Sequence, residues 1–431
     1  MSFTEIALGE LIRVKHGFAF KSEYFSFEGK QIVLTPGNFY ESGGFKSRGD
    51  KDRFYTGDYP KQYLLKKHDL IVAMTEQGEG LLGSAALIPC EDRYLHNQRL
   101  GLVEIISPEK IDKYFLYLVF NSDAIRAQIS GSATGTKVKH TAPERIYRCK
   151  YSFPSLTLQR RITSIITAYD DLIENNLARI KLLEKMAQIT YEEWFVRMQF
   201  PGYEMAEINS ETGLPEEWKC IYLDQACDVS GGGTPSREVA EFWDDGTIPW
   251  FTPTDLSKAN SYCFLDSNQK ITEEGLAKSS AKLLKPNSFM MTSRATIGLF
   301  ALIDISFSTN QGFINITPHE SWHKLFLFYN FKNRVEEFYN HASGATFPEL
   351  SKSKFKKLKI DWPTDDILKS FNDFATPIID TIMNLTHQNK LLTEARDILL
   401  PRLMTGMIDI EKVELPEALL ARIQANDTPE E

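Results

Sequence analysis

Residues 158–194, LQRRITSIITAYDDLIENNLARIKLLEKMAQITYEEW, contain neither proline nor glycine. Tyr169, Asn176, Leu183 and Thr190 recur every seven residues, and so do Ile173, Ile180, Ala187 and Trp194. That spacing reads as one long amphipathic helix whose seam needs a partner helix. The chain carries one. A shift of 209 residues lays Asp171 on Asp380, Ile173 on Ile382, Asn176 on Leu385 and Leu183 on Leu392. The second copy runs from about Phe371 to Leu400, with Ile378, Leu385, Leu392 and Leu399 seven apart. The reading is an antiparallel coiled coil inside one chain. Its expected seam residues are Tyr169, Ile173, Ile180 and Leu183 against Ile378, Ile382, Leu385 and Leu392. A helix of about 36 residues is about 55 Å long at ~1.5 Å per residue. A pair of that size can carry two attached heads about a turn of duplex DNA apart. The polar seam positions Asn176 and Thr190, facing Leu385 and Leu399 by repeat position, suggest that part of the seam serves partner subunits.

What precedes each helix repeats as well. Leu8-Gly9-Glu10 with Val14 and Gly17 answers Leu223-Asp224-Gln225 with Val229 and Gly232. Thr35-Pro36 answers Thr252-Pro253, Thr75 answers Ser293, and Asn97-Gln98 answers Asn310-Gln311. A period of about 210 residues is a domain duplication rather than a solenoid. Each block mixes short apolar runs with Gly/Pro punctuation and a helix-like stretch, Pro108–Phe120 in the first. The expected class is therefore α+β, with mostly antiparallel sheets. The expected boundaries are a first block at 1–155, a helix at 156–200 and a linker at 201–217. A second block follows at 218–362, then a second helix at 363–405 and an acidic tail at 406–431.

The chain has 431 residues, 42% of them hydrophobic, which is ample for two or three cores. The net charge of −9 argues against strong nonspecific grip on nucleic acid by this chain alone. The excess is uneven: from Met407 on there are seven acids and two bases. Five cysteines (Cys90, Cys149, Cys220, Cys227 and Cys263) form no CxxC, which fits a reducing compartment. With no signal-peptide pattern and no apolar run near the ~20 residues of a membrane span, the expectation is a cytoplasmic protein without membrane contact.

His319-Glu320-Ser321-Trp322-His323 is a literal HExxH, which on a helix would set two zinc-binding imidazoles on one face. Pro318 puts the motif on a first turn, and the first block has no histidine at the matching place, so a zinc peptidase is the lesser reading. No GxGxxG, Walker or GxSxG string is present, and Gly231-Gly232-Gly233 lies between a strand and a proline. No metal, nucleotide or S-adenosylmethionine site is therefore expected in this chain. A purely structural coiled-coil adaptor is the other alternative.

Basic residues gather at matched places, within 134–150 and within 345–360, each after a Gly/Ser/Thr loop. Such loops suit phosphates, while Asn, Gln, Arg, Ser and Thr suit base edges. In the first block the candidate DNA contacts are Lys46, Arg48, Thr75, Gln77, Asn97, Gln98, Arg99, Thr136, Lys137, Lys139 and His140. In the second they are Thr234, Ser236, Arg237, Thr254, Ser293, Arg294, Asn310, Gln311, Thr346, Lys352, Lys354 and Lys356.

Four strings then carry a resemblance. GGGTPSREVAEFWDDGTIPWFTPTDLS (231–257), STNQGFINITP (308–318), SGATFPELSKSKFKKLKIDWP (343–363) and HQNKLLTEARDILLPRLMTGMID (387–409) occur in the order of type I restriction–modification specificity subunits. The first half is more diverged but keeps the order. The resemblance implies two target-recognition domains, each reading half of a split, asymmetric duplex DNA site, and each followed by a spacer helix. It implies that the helix pair sets the gap and docks two modification (methyltransferase) subunits, with restriction/translocase subunits completing the complex. It places S-adenosylmethionine, ATP and Mg²⁺ in those partners and makes this chain non-catalytic.

Overall fold

The computed structural model describes residues 3–76, 80–344 and 348–425. Gln77 and Thr346 lie outside them. The chain divides into two compact units, one ending at Asp170 and resuming at Ala395, the other spanning Asp171–Glu394. Helix α1 covers Leu156–Tyr191 and helix α2 covers Asp365–Met404, so each unit holds a stretch of both. Among the described residues no helix is long and apolar enough to cross a membrane.

Unit 1 is built on an antiparallel sheet in the order Ile12–His16, Leu100–Ile105, Leu70–Ala73, Ala85–Leu87. Unit 2 repeats that order with Cys227–Gly231, Phe313–Pro318, Phe289–Thr292 and Phe300–Ile303, then adds Cys263–Phe264 in parallel at the edge. A second small sheet recurs too. Ile32–Val33 runs parallel to Tyr94–Leu95, and Ile248–Phe251 runs parallel to Ser308–Thr309. In both units the first strand returns to pair with the last, Thr4–Ala7 with Lys150–Phe153 and Lys219–Tyr222 with Lys359–Trp362. The class is α+β and the sheets are mostly antiparallel, as read from the sequence, with a few parallel pairs.

The helix-like stretch at Pro108–Phe120 begins later than its composition suggests. Asp112 accepts a bond from the Phe115 N–H at 2.9 Å and so caps a helix of Lys113–Asn121. The repeat is equally delayed. The strand runs on to Pro318, Glu320 is extended at φ −119° and Ser321–His323 form a 3₁₀ turn before the helix Lys324–Asn333. The HExxH residues therefore never share a helical face. His323 packs its ring on Trp362 at 4.8 Å, while His319 faces Asp228 at 3.7 Å. Among the described residues no cluster of three or more His, Cys, Asp or Glu is placed to hold a metal.

In unit 2 the two helices run antiparallel: the Asn176 amide donates to Asn389 Oδ1 at 2.9 Å, and Tyr191 meets Phe371 at 6.0 Å. Ile180, Ile378, Ile382 and Leu385 are buried, and Ile173, Leu183 and Leu392 are half-buried. Tyr169, half-buried, belongs to unit 1, where the neighbouring Asp170 carboxylate binds Arg396 of α2 at 2.7 Å. Repeat position does not predict the facing residue. Asn176 lies at Gln388 and Asn389 rather than Leu385, so its polarity is satisfied within the chain.

His96 in unit 1 is 1% exposed and its Nε2 meets the Leu100 carbonyl at 2.9 Å. Burial holds its pKa down to about 4. The folded pKa lies below the unfolded value of about 6.5, so the stabilisation is complete above pH ~6.5 and is lost as pH falls toward 4. We expect unit 1 to lose about 3 kcal/mol over that interval through this ring. In urea unfolding at pH 7 and pH 4.5, the His96→Gln protein should show a correspondingly smaller pH dependence. Identical pH dependence would contradict the assignment.

Candidate nucleic-acid interface

Antiparallel order brings three chain segments to one end of the main sheet of unit 2. The first strand leaves at Gly231, the second enters after the turn Asn310–Gly312 and the third leaves at Thr292. Asn310 Oδ1 accepts the Gly312 N–H at 2.8 Å and shapes the turn. Thr234 donates its hydroxyl to Gln311 Oε1 at 2.6 Å. Pro253, the first residue of the helix that the Thr252/Asp255 capping box opens, packs on Gly312 and brings exposed Thr254 alongside. Exposed Lys352 lies with its ammonium against Gly231, and has no ion-pair partner among the described residues.

Unit 1 builds the same turn. Asn97 Oδ1 accepts the Arg99 N–H at 3.0 Å, and Gln98 and Arg99 are exposed. The Met74 N–H donates to the Arg99 carbonyl at 3.0 Å, and Thr75 pairs with His140. Asn38 Oδ1 accepts the Thr35 N–H at 3.0 Å, as Asp255 does for Thr252, and Arg48 binds the Thr35 hydroxyl at 3.2 Å. Lys46 stands nearby over Tyr40. Thr136 and Lys137 are exposed on the turn that leads back to His140.

Several candidates change role. Ser293 is 4% exposed and donates to the Gly312 carbonyl, so its hydroxyl braces the turn. The true counterpart of Thr75 is Arg294. Thr141 donates to Met74 as Leu350 donates to Ser293, one residue off the alignment read from the sequence. Arg294 is held by Glu349 at 2.8 Å, and Lys139 by Glu76 at 3.8 Å. Lys354 spends its ammonium on Ser343 Oγ at 2.7 Å and the His341 carbonyl at 3.1 Å. Arg145 likewise ties Ser132 and Thr134 in unit 1. Each basic cluster thus spends one cation, Arg145 or Lys354, on fastening its own loop. Lys356 is half-buried. Ser236 and Arg237 stand beside the smaller sheet, where the guanidinium lies 3.6 Å from the Trp243 ring and donates to Gln269 at 2.7 Å. That aromatic support was missed, although Trp243 and Trp250, one before a strand and one within it, were its visible signal.

Two α+β repeats, each offering a polar turn at the same sheet end, define a duplicated reading module. A family model described as the type I restriction modification DNA specificity domain matches residues 2–185 and again 215–394, and the chain belongs to that family. Over 181 residues, 42% of either chain, it is 32% identical to the type I restriction enzyme MjaIX specificity subunit of Methanocaldococcus jannaschii. That stretch spans less than half of the relative. Over 411 residues it is 25% identical to the HindI specificity subunit of Haemophilus influenzae, covering 80% of this chain and 87% of that one. In fold it is similar to the crystal structure of a type I restriction–modification S subunit from M. genitalium. The TM-score is 0.57 and the identity 15%, with 94% and 96% of the two chains covered. Specificity subunits are non-catalytic, and this chain is of that kind.

Proposed function

We propose that the chain reads a bipartite, asymmetric site on double-stranded DNA, one half per unit, and recruits two modification subunits through α1 and α2. The observation that carries this reading is the duplicated turn, Asn97–Arg99 and Asn310–Gly312, each at the same end of the same strand order. Exposed Gln98, Arg99 and Gln311 face bases, while Lys137 and Lys352 face phosphates. S-adenosylmethionine belongs to the modification subunits, and ATP with Mg²⁺ to the restriction subunits. The test is a map of methylated adenines in cells expressing the chain with its modification subunits. Two short motifs separated by a fixed unread gap are expected; a contiguous motif, or none, would overturn the proposal.

The charge roles have their own test. Lys352→Ala should weaken binding evenly across duplex sequences and lower the log–log salt slope by about 0.9. A loss confined to one sequence with an unchanged slope would remove Lys352 from phosphate contact.

A further inference from the structure

Duplication lets one unit show what the other lacks. The helices Lys113–Asn121 and Lys324–Asn333 align through Lys-Tyr-Phe-Leu and Lys-Leu-Phe-Leu, which sets Tyr117 on Phe328, Leu118 on Tyr329 and Asn121 on Lys332. In unit 2 the face formed by those residues is covered by the chain itself. Tyr262, in the loop at the outer edge of the main sheet, lies 5.0 Å from the Phe328 ring. Its hydroxyl meets that of Tyr329 at 2.7 Å, and the Lys332 ammonium sits 4.2 Å over its ring. Glu184 of α1 pins the loop through Ser261 Oγ at 2.6 Å and the Tyr262 N–H at 3.2 Å.

The edge loop of unit 1 takes the same path beside the corresponding strand, with Gly44 N–H donating to the Ala85 carbonyl at 2.9 Å. It offers Ser42 and Gly43 where unit 2 offers a tyrosine. Gly43 has φ +95° and its backbone lies directly on the Asn121 carboxamide, so no side chain reaches inward there. In unit 1 that helix face borders an open cleft of about 690 Å³. Tyr117, Leu118, Tyr151, Ile166, Leu400 and Met404 form its apolar floor. Asp123, Asp170 and Asp397 stand at its rim against a single cation, Arg396, which binds Asp170 at 2.7 Å and Asp397 at 2.9 Å. The Tyr117 hydroxyl has no hydrogen-bond partner among the described residues, whereas Tyr329 and Tyr262 in unit 2 satisfy each other.

We propose that this cleft receives an aromatic side chain flanked by a lysine or arginine, presented by the modification subunit. Unit 2 supplies the model for the occupant: a ring on the helix face with a cation beside it. The acidic rim supplies the charge complementarity. The floor and rim include Ile166 and Asp170 of α1 and Leu400 and Met404 of α2, so the cleft is continuous with the helices through which recruitment is proposed. The inference rests on that reading.

The experiment titrates the full chain with its modification subunit and measures the dissociation constant by sedimentation. Ala124→Trp fills the mouth of the cleft from an exposed helical position, and Asp123→Lys reverses its rim charge. Each should weaken assembly at least tenfold, with a far-UV circular dichroism spectrum like that of the unaltered chain. Tight assembly of both variants would overturn the cleft while leaving recruitment through the helices standing. Failure of the unaltered chain to bind the modification subunit at all would overturn both.

Discussion

Phe371→Ala should destabilise unit 2 by about 4 kcal/mol, the upper range for truncating a buried aromatic residue. Phe371 is fully buried on α2, with ring contacts to Tyr191 at 6.0 Å, Trp194 at 5.7 Å, Phe195 at 5.1 Å and Tyr329 at 6.0 Å. Tyr191 ends α1, Trp194 and Phe195 lie in the helical turn just beyond it, and Tyr329 is on the helix Lys324–Asn333. Removing the ring therefore opens a cavity where three elements meet, and none of them can shift inward without unpacking another. The readout is specific, because all six tryptophans (194, 218, 243, 250, 322 and 362) lie in unit 2. Tryptophan fluorescence during urea unfolding should show a midpoint displaced by that amount, and a shift worth less than about 1 kcal/mol would mean the site collapses around the gap.

The same residues explain what the sequence could reveal. A heptad seam is a strong one-dimensional signal, since Ile180, Ile382 and Leu385 must be apolar wherever the partner comes from. The duplication was legible for a similar reason. Thr35-Pro36 and Thr252-Pro253 begin the same capping box, and Asn97 and Asn310 close the same turn, so local chemistry repeated as letters. Contacts distant along the chain left no such mark. Nothing near Arg294 announces Glu349, nor near Lys139 the buried Glu76. Lys354 looked free because its acceptors, Ser343 and the His341 carbonyl, carry no charge. Ser293 was misplaced by one residue, and in a strand one residue exchanges a solvent-facing side chain for a buried one.

The largest functional effect is expected at Gly232, where the turn proposed to read DNA is built by close backbone approach. A β-carbon there would overlap the carbonyl oxygens of Thr309 and Asn310, and both are backbone atoms of the turn itself. Gly17 stands in the same relation to the carbonyls of His96 and Asn97 in unit 1. No rotamer change relieves either clash, so alanine must push the first strand away from the turn, at about 3 kcal/mol. The displacement moves Thr234 away from Gln311 in one unit and disturbs Asn97–Arg99 in the other. Gly232→Ala should therefore blur one half of the methylated motif and leave the other half and the gap unchanged. Gly17→Ala should do the reverse. Mapping methylated adenines for each variant decides the matter. Two variants that blur the same half, or both halves equally, would break the assignment of one half-site to each unit. Complementary loss would assign each half of the site to the turn that reads it.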